Sequence, residues 1–199
     1  MTVTSLLNDA FRGPCRPALR LLPDRAANLL EQLQAPPRLA AHLRLVHDVA
    51  CQLSDWADAH HPALGYDRAA VLFGAATHDI GKTAFPAEIT GPGSAHEEAG
   101  RLLLLSRGVS AELARFAATH ASWRSPGIGT EDLMVSVADK IWKNKRVTDL
   151  EDLLVTRLAQ ASGRDAWQEF ADLDTLLEAI GDGAGDRLAF QAAFPVGPA

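Results

Sequence analysis

An apolar run that ends in two polar residues is the feature that most constrains this chain. Residues 69–76 read AAVLFGAA and carry no charged or hydrogen-bonding side chain. A helix without a polar face belongs in the middle of a core. The run leads through Thr77 into His78 and Asp79, and burying these two side chains costs free energy unless something pairs with them. A metal ion is such a partner, so we expect His78 and Asp79 to be the centre of a metal site whose other ligands lie far along the chain.

The composition suits one soluble globular domain and argues against several other classes. Of the 199 residues, 47% are hydrophobic and 22% are charged, and a chain of this length buries about 70% of its unfolded surface. The net charge of -6 and the isoelectric point near 5.6 disfavour extended binding to nucleic acid. Cys15 and Cys51 form no CxxC pair, which argues against a disulfide framework and a zinc–thiolate site.

The sequence carries no pattern typical of a secreted or membrane-spanning protein. Residues 1–11 lack a basic segment followed by an apolar one, so no signal peptide is predicted. The apolar runs fall far short of the roughly 18 residues needed to span a bilayer. We therefore expect a cytoplasmic protein with no membrane partner, either a monomer or an oligomer such as a homodimer.

Apolar residues recur at helical spacing along the chain, and no segment alternates with period two for long enough to predict a strand. We therefore predict an all-α fold of about eight or nine helices. Residues 1–36 form a helical extension broken by Pro14, Pro17 and Pro23, with its best helix at 26–34. The predicted core covers about 37–146 and is followed by C-terminal helices over 147–194, all in one domain. Its further helices are expected over 38–60, 67–81, 94–105, 110–120, 130–142, 148–162, 165–180 and 185–194.

Residues typical of helix ends support these boundaries. Gly81 is a natural C-cap for the buried helix. Ser94 and Glu97 have the spacing of a capping box, as have Thr148 and Glu151. Glu97 has a second interpretation, as a base beside the predicted site.

His42 lies on the apolar stripe of the helix over 38–60, together with Leu39 and Val46. His47 follows five residues later, about 140° round the helix, and is the alternative ligand. His60 lies near a predicted loop and is an outside candidate. The positions that we expect to bind metal are His42, His78, Asp79, His96, His120 and Asp139. Imidazole and carboxylate ligands without thiolates suit Fe, Mn or Co, with Mg as a further option.

The order of these residues resembles the H…HD…D signature of the HD-domain phosphohydrolase superfamily. The segments that carry the resemblance begin at His42, at His78-Asp79-Ile80-Gly81-Lys82, at His96 and at Val137-Ala138-Asp139. His96 and His120 resemble the extra pair of its two-metal members. The first box, the interval of 24 residues from His96 to His120, and the basic residues after Asp139 are most similar to the YqeK-type group, which hydrolyses diadenosine tetraphosphate.

The resemblance implies a compact HD-domain helical bundle with two divalent ions. His42, His78, Asp79 and Asp139 would hold the first ion, and His96 and His120 the second, with Asp79 between them. Two ions about 3.5–4 Å apart clamp a phosphate and supply hydroxide as the nucleophile.

Nearby cations are candidates for neutralising the phosphate. Lys82 is the first choice for both catalysis and substrate binding, with Lys143 and Arg146 next, because fixed cations stabilise charge on phosphoryl oxygens. Trp123 is a candidate for stacking on a base. The alternatives are that Lys82 only caps the turn at Gly81, that Trp123 only covers the core, and that the basic residues at 140–146 only complement a helix dipole.

The predicted function is hydrolysis of a phosphoester or phosphoanhydride of a nucleotide, with a dinucleoside polyphosphate as one option. Three alternatives stay open: a one-metal 5'-nucleotidase, a regulator that binds a nucleotide or metal without turnover, and a di-iron oxygenase of the same superfamily.

Overall fold

Every regular element in residues 3–14 and 18–197, the part of the chain that the computed structural model describes, is a helix. The predictions for Cys15 and Pro17 concern residues outside these ranges. The α-helices are α1 (Val3–Arg12), α2 (Asp24–Gln32), α3 (Pro37–His60), α4 (Arg68–Thr77), α5 (Ala95–Ser106), α6 (Ala111–Ala114), α7 (Phe116–Thr119), α8 (Thr130–Ile141), α9 (Thr148–Ser162), α10 (Ala166–Asp182) and α11 (Ala184–Ala192). Two 3-10 helices cover Ile80–Thr83 and Pro86–Ile89.

The all-α prediction is confirmed, and the expected count of eight or nine helices is slightly low. The extension over 1–36 contains α1 in addition to the one helix that was predicted at 26–34. The segment over 110–120, predicted as one helix, forms the two helices α6 and α7. None of the helices in the described ranges is both long and apolar enough to cross a membrane.

The long helix α3 lies at the centre of the fold. It packs against α1, α4, α8 and α11, and it is buried on nearly all sides. His42 and His47 are therefore both buried, although they lie on different sides of the helix. The apolar stripe predicted for α3 underestimates its burial, because the sequence does not show that α1 and α11 cover its second face.

The apolar helix α4 is buried against α3 and α8, as its sequence predicts. Asp67 caps its start by accepting a hydrogen bond from the Ala70 amide at 3.0 Å. Its end differs from the prediction, because α4 stops at Thr77 and Gly81 lies inside the following 3-10 helix. The predicted capping box at α9 also differs. Val147 is the N-cap there, and its amide donates to Glu151 Oε1 at 2.8 Å.

Gly81 is needed for close packing rather than for capping. A Cβ atom at this position would lie 2.0 Å from the His96 carbonyl oxygen and 2.7 Å from the Gly100 amide nitrogen. Both contacts are with backbone atoms, which cannot rotate away. The absence of a side chain at Gly81 thus lets α5 approach the turn after His78 and Asp79.

The N-terminal extension is held to the core by a buried arginine. Arg44 in α3 donates hydrogen bonds to the carbonyl oxygens of Gly13 and Leu19, both at 3.0 Å. It also donates to those of Ala10 at 3.3 Å and Arg20 at 3.2 Å. One guanidinium therefore satisfies several backbone acceptors where the chain leaves α1.

Substituting Gly81 by alanine should reduce the free energy of unfolding by about 1–3 kcal/mol, because the added methyl group overpacks a rigid contact. Urea unfolding of the purified variant measures this loss. Gly185→Ala is the matched control, since a Cβ there meets nothing within 4 Å. The control should be neutral or more stable by up to about 1 kcal/mol. Equal effects of the two substitutions would contradict the close-packing role.

Candidate metal centre

All six predicted metal ligands converge at the end of α4. They form two groups in which the ligand atoms of each lie within 4.8 Å of one another. The first group is His42, His78 and Asp139, and the second is Asp79, His96 and His120. All six residues are buried. The ligands come from α3, α5 and α8 and from the residues that directly follow α4 and α7.

The Asp79 carboxylate faces both groups. Its Oδ1 atom lies 2.9 Å from His96 Nε2 and 3.5 Å from His120 Nε2. Its Oδ2 atom lies 3.1 Å from His42 Nε2 and 3.6 Å from His78 Nε2. Each carboxylate oxygen thus points to a different group, which is the arrangement expected of a ligand shared by two ions.

Backbone carbonyl groups set the protonation of two of the histidines. His78 Nδ1 lies 2.9 Å from the Ala75 carbonyl oxygen, and His120 Nδ1 lies 3.1 Å from that of Ala117. A carbonyl oxygen can only accept, so Nδ1 must carry the proton and donate. The Nε2 atom of each ring is then left to face the cluster, as in most metal-binding histidines.

Glu88 orients a third histidine and replaces the predicted capping box of α5. Its Oε2 atom lies 2.5 Å from His96 Nδ1 and accepts from the His96 amide at 3.2 Å. Its Oε1 atom accepts from the Ala95 amide at 3.3 Å. The Ser94 side chain makes no capping hydrogen bond. Glu97 is instead directed to the cavity described below, and burial raises the pKa of its carboxyl group.

A glycine makes room for Glu88. Gly93 has a φ of 153°, and a Cβ atom at this position would lie 2.3 Å from Glu88 Oε1. Sequence reasoning missed Glu88 because it lies in a segment that was expected to be a loop. The only signal was an acidic residue between Pro86 and the Gly91-Pro92-Gly93 turn.

The charge state of the cluster suits a divalent ion. Burial by itself would raise the pKa of Asp79 and Asp139, but the neighbouring His78 ring holds both well below their usual range. Burial lowers the pKa of His42, and it lowers that of His120 to about 4. Near neutral pH the carboxylates are therefore ionised and these imidazoles are neutral, which is the form that binds metal.

Two buried polar atoms also lack ordinary partners. His96 Nε2 and Asp79 Oδ1 are 2.9 Å apart, yet neither makes a hydrogen bond of normal geometry to another described residue. Buried polar atoms without hydrogen bonds are costly. An ion between them would satisfy both, so the residues present fit a metal centre.

A cavity of about 390 Å³ opens over the cluster. Five of the six ligands line it, and His78 lies behind them. The other lining residues are Leu39, Lys82, Ile89, Gly93, Glu97, Ala121, Lys140, Trp142, Lys143, Leu188 and Gln191.

Three lysines give this cavity a positive wall. Lys82 Nζ lies 2.6 Å from Asp79 Oδ2, and Lys140 Nζ lies 2.6 Å from Asp139 Oδ2. Lys143 lines the cavity, and burial lowers the pKa of its ammonium group. The structure thus brings Lys82 and Lys143 to the site, together with Lys140, whose position at a helix end gave no reason to select it.

The structure places Arg146 and Trp123 outside this cavity. After α8 the chain reverses at Asn144, which has a φ of 57°. Arg146 then pairs with Glu151 of α9 and Asp174 of α10 at 2.8 and 2.7 Å. The Trp123 indole nitrogen donates to Asp149 at 2.9 Å, and its ring centroid lies 5.7 Å from Nζ of the cavity residue Lys140.

The two alternative histidines do not join the cluster. His47 Nε2 lies 3.6 Å from Cys51 Sγ on the other side of α3. His60 is exposed, and its Nδ1 atom lies 3.0 Å from the Trp56 carbonyl oxygen. Of these three histidines, His42 is the one that lies in a candidate ligand group.

Comparison with protein families matches this chain to one family model. The model is described as HD domain, and it covers residues 39–144, which is more than half of the 199 residues. All six candidate ligands lie within the matched segment. Neither curated proteins nor solved structures give a match.

Glu88→Gln should weaken binding at the second group selectively. The amide keeps an acceptor for His96 but loses the negative charge, and such changes behind a ligand typically reduce metal affinity about 10–100-fold. Metal content after dialysis against a fixed free-metal concentration measures the effect. Glu98→Gln is the control, because Glu98 is exposed and pairs with Arg101. Retention of the same metal content in both variants would contradict the orienting role of Glu88.

The two groups should also differ in how metal affinity depends on pH. Burial lowers the pKa of His96, but contacts with Asp79 and Glu88 outweigh it and raise the pKa above the usual value. A proton on His96 competes with metal below that pKa, so the apparent dissociation constant of one ion should rise about tenfold per pH unit. The pKa of His42 is lowered, so protonation of this ligand should weaken binding of the first ion only at lower pH. Metal titrations across about pH 5.5 to 8 check this. Identical pH dependence for both ions would count against it.

Proposed function

We propose that this chain, which belongs to the HD domain family, is a two-metal phosphohydrolase that cleaves a phosphoester or phosphoanhydride of a nucleotide. Members of this family are mostly metal-dependent hydrolases. The observation that carries the proposal is the position of the Asp79 carboxylate, which is shared by two groups of histidines beneath a cavity lined with lysines.

His42, His78 and Asp139 would hold one ion, and His96 and His120 the other, with Asp79 contributing one oxygen to each. When bound, such a pair of ions makes a water molecule acidic near neutral pH and neutralises phosphoryl oxygens. We infer that the ions are Fe, Mn or Co, because the ligands combine imidazole nitrogens with carboxylate oxygens and include no thiolate.

The chain's own cations favour an anionic substrate. Apart from the metal ligands, the charged residues of the cavity are Lys82, Lys140, Lys143 and Glu97. Three ammonium groups against one carboxylate attract a group that carries several negative charges. Lys82 and Lys140 each contact a ligand carboxylate, so they reach the place where phosphoryl oxygens would lie.

The size of the cavity favours a single nucleotide inside it. Its volume of about 390 Å³ lies near the lower end of the range for small-molecule sites, roughly 300–1,000 Å³. The resemblance to the YqeK-type group favours a dinucleoside polyphosphate, whose second nucleoside would then lie outside the cavity. A cytoplasmic location and a homodimeric state stay predictions.

The main alternatives differ in metal content and turnover. A one-metal nucleotidase would use only His42, His78, Asp79 and Asp139. The presence of two complete ligand groups favours two ions. A regulator would bind nucleotide without turnover, and a di-iron oxygenase would show the spectrum of mixed-valence iron after anaerobic purification.

The test combines elemental analysis with a phosphohydrolase screen on one sample. The purified protein should hold close to two transition-metal ions and hydrolyse a member of a nucleotide panel when Fe, Mn or Co is supplied. Asp79→Ala should lose both ions and all activity. His96→Ala and His120→Ala should each lose about one ion, because each removes one ligand of the second group.

His60→Ala serves as the control, since His60 is exposed and lies outside both groups. It should keep full metal content and activity. Unchanged metal content and rate in His96→Ala and His120→Ala would favour the one-metal alternative. Metal-loaded protein that hydrolyses no nucleotide or phosphoester would overturn the proposed function.

A further inference from the structure

The cavity has apolar lining residues besides its charged ones, and some of them come from a helix outside the family match. Leu39 and Ile89 lie within residues 39–144, whereas Leu188 and Gln191 belong to α11. The ligands and lysines within the matched segment account for binding a phosphate. They leave the apolar lining residues and the single amide, that of Gln191, without a role in the proposed reaction.

The helix α11 is fixed to the two helices that carry ligands of the first group. Arg38, one turn before His42 in α3, donates to the carbonyl oxygens of Phe194 at 2.7 Å and Ala192 at 3.0 Å. Arg187 in α11 is buried and donates to the carbonyl oxygen of Trp142 at 2.7 Å, just past the end of α8. Leu188 and Gln191 are therefore held in register with the metal cluster.

Leu188 and Gln191 lie three residues apart, so they share one face of α11. Leu188 is 44% exposed although it is apolar. The Gln191 side-chain amide makes no hydrogen bond with any residue in the described part of the chain. An amide offers both donors and acceptors. This face therefore presents apolar surface and hydrogen-bonding capacity that the protein itself does not use.

A second depression, of about 720 Å³ beside Trp123, is larger but less suitable for a ligand. Asp149 there already pairs with Trp123 and with Arg124. Arg157 donates to the carbonyl oxygen of Ile128. Asp149 and Arg157 are thus already engaged, and the depression contains none of the six ligands.

We propose that Leu188 and Gln191 form the subsite for the nucleoside part of the substrate. Leu188 packs with Leu39 and Ile89 against the base, and the Gln191 amide hydrogen-bonds to the edge of the base. This inference rests on the proposed function, since it assumes a nucleotide whose phosphate lies at the metal ions. Small-molecule sites usually combine an apolar lining with a few polar groups that fix orientation. Specificity would then reside in α11, outside the matched segment, and catalysis inside it.

The test compares a nucleotide with a phosphoester that has no nucleoside. Steady-state kinetics are measured for metal-loaded Leu188→Ala and Gln191→Ala with p-nitrophenyl phosphate and with the best nucleotide of the panel. Each variant should raise KM for the nucleotide about 3- to 10-fold, the amount expected for one lost hydrogen bond or apolar contact. The kcat for the nucleotide and both constants for p-nitrophenyl phosphate should stay within about twofold.

Matched controls separate this effect from altered folding. Leu102→Ala and Gln160→Ala remove the same side chains from exposed positions on α5 and α9, and they should leave both substrates unchanged. Gln191→Glu adds a further readout, because it removes the amide donors and should change the order of preference among bases. An equal decline with both substrates, or no change with either, would overturn the subsite.

Failure of the proposed function gives a different result. If the wild-type protein hydrolyses neither substrate, direct titration with adenosine, guanosine, cytidine and uridine monophosphates replaces kinetics. A loss of affinity in Gln191→Ala relative to Gln160→Ala would support the subsite without the hydrolase. Equal affinities, or no binding by the wild-type protein, would overturn it.

Discussion

The structure depends on one buried carboxylate, that of Asp79. An isolated charge in a protein interior is very costly, and it persists only when it is paired. Here the Lys82 ammonium group lies 2.6 Å from Oδ2, and each of the two oxygens is directed to one pair of imidazoles. This arrangement explains why α4 is apolar: the helix must reach the centre of the core for its end to be surrounded by ligands from several other helices.

The two ligand groups are supported in different ways. His42 and Asp139 belong to α3 and α8, two helices buried along most of their length. His96 lies in the first turn of α5, where Glu88 holds both its ring and its amide, and His120 follows the short helix α7. The first group is thus part of the core packing. The second depends on a carboxylate from the 3-10 helix Pro86–Ile89 and on the close approach of Gly81 to α5, so its metal affinity is open to change without loss of the core.

The helices that follow the matched segment complete the cavity. Hydrogen bonds from Arg38 and Arg187 connect α11 to the helices that carry His42 and Asp139. Arg146, at the start of this segment, pairs with α9 and α10 and holds them in place. Its role is therefore structural in this arrangement, and the positive charge of the cavity comes from residues that precede it.

Periodicity and residue chemistry were sufficient to predict the all-α class and the bounds of α3 and α9, and they selected six candidate ligands that the structure brings together. Helical spacing depends only on local backbone geometry, and a buried histidine or aspartate needs a partner wherever the chain places it. Only the tertiary structure decided which side chains near the end of a helix line the cavity. Lys140 and Arg146 are close in sequence, yet the turn at Asn144 directs them to different neighbours. Glu88 and Gly81 owe their roles to contacts with α5, and Leu188 and Gln191 to the anchoring of α11. Such contacts join segments that are distant in sequence, and no local pattern along the chain encodes them.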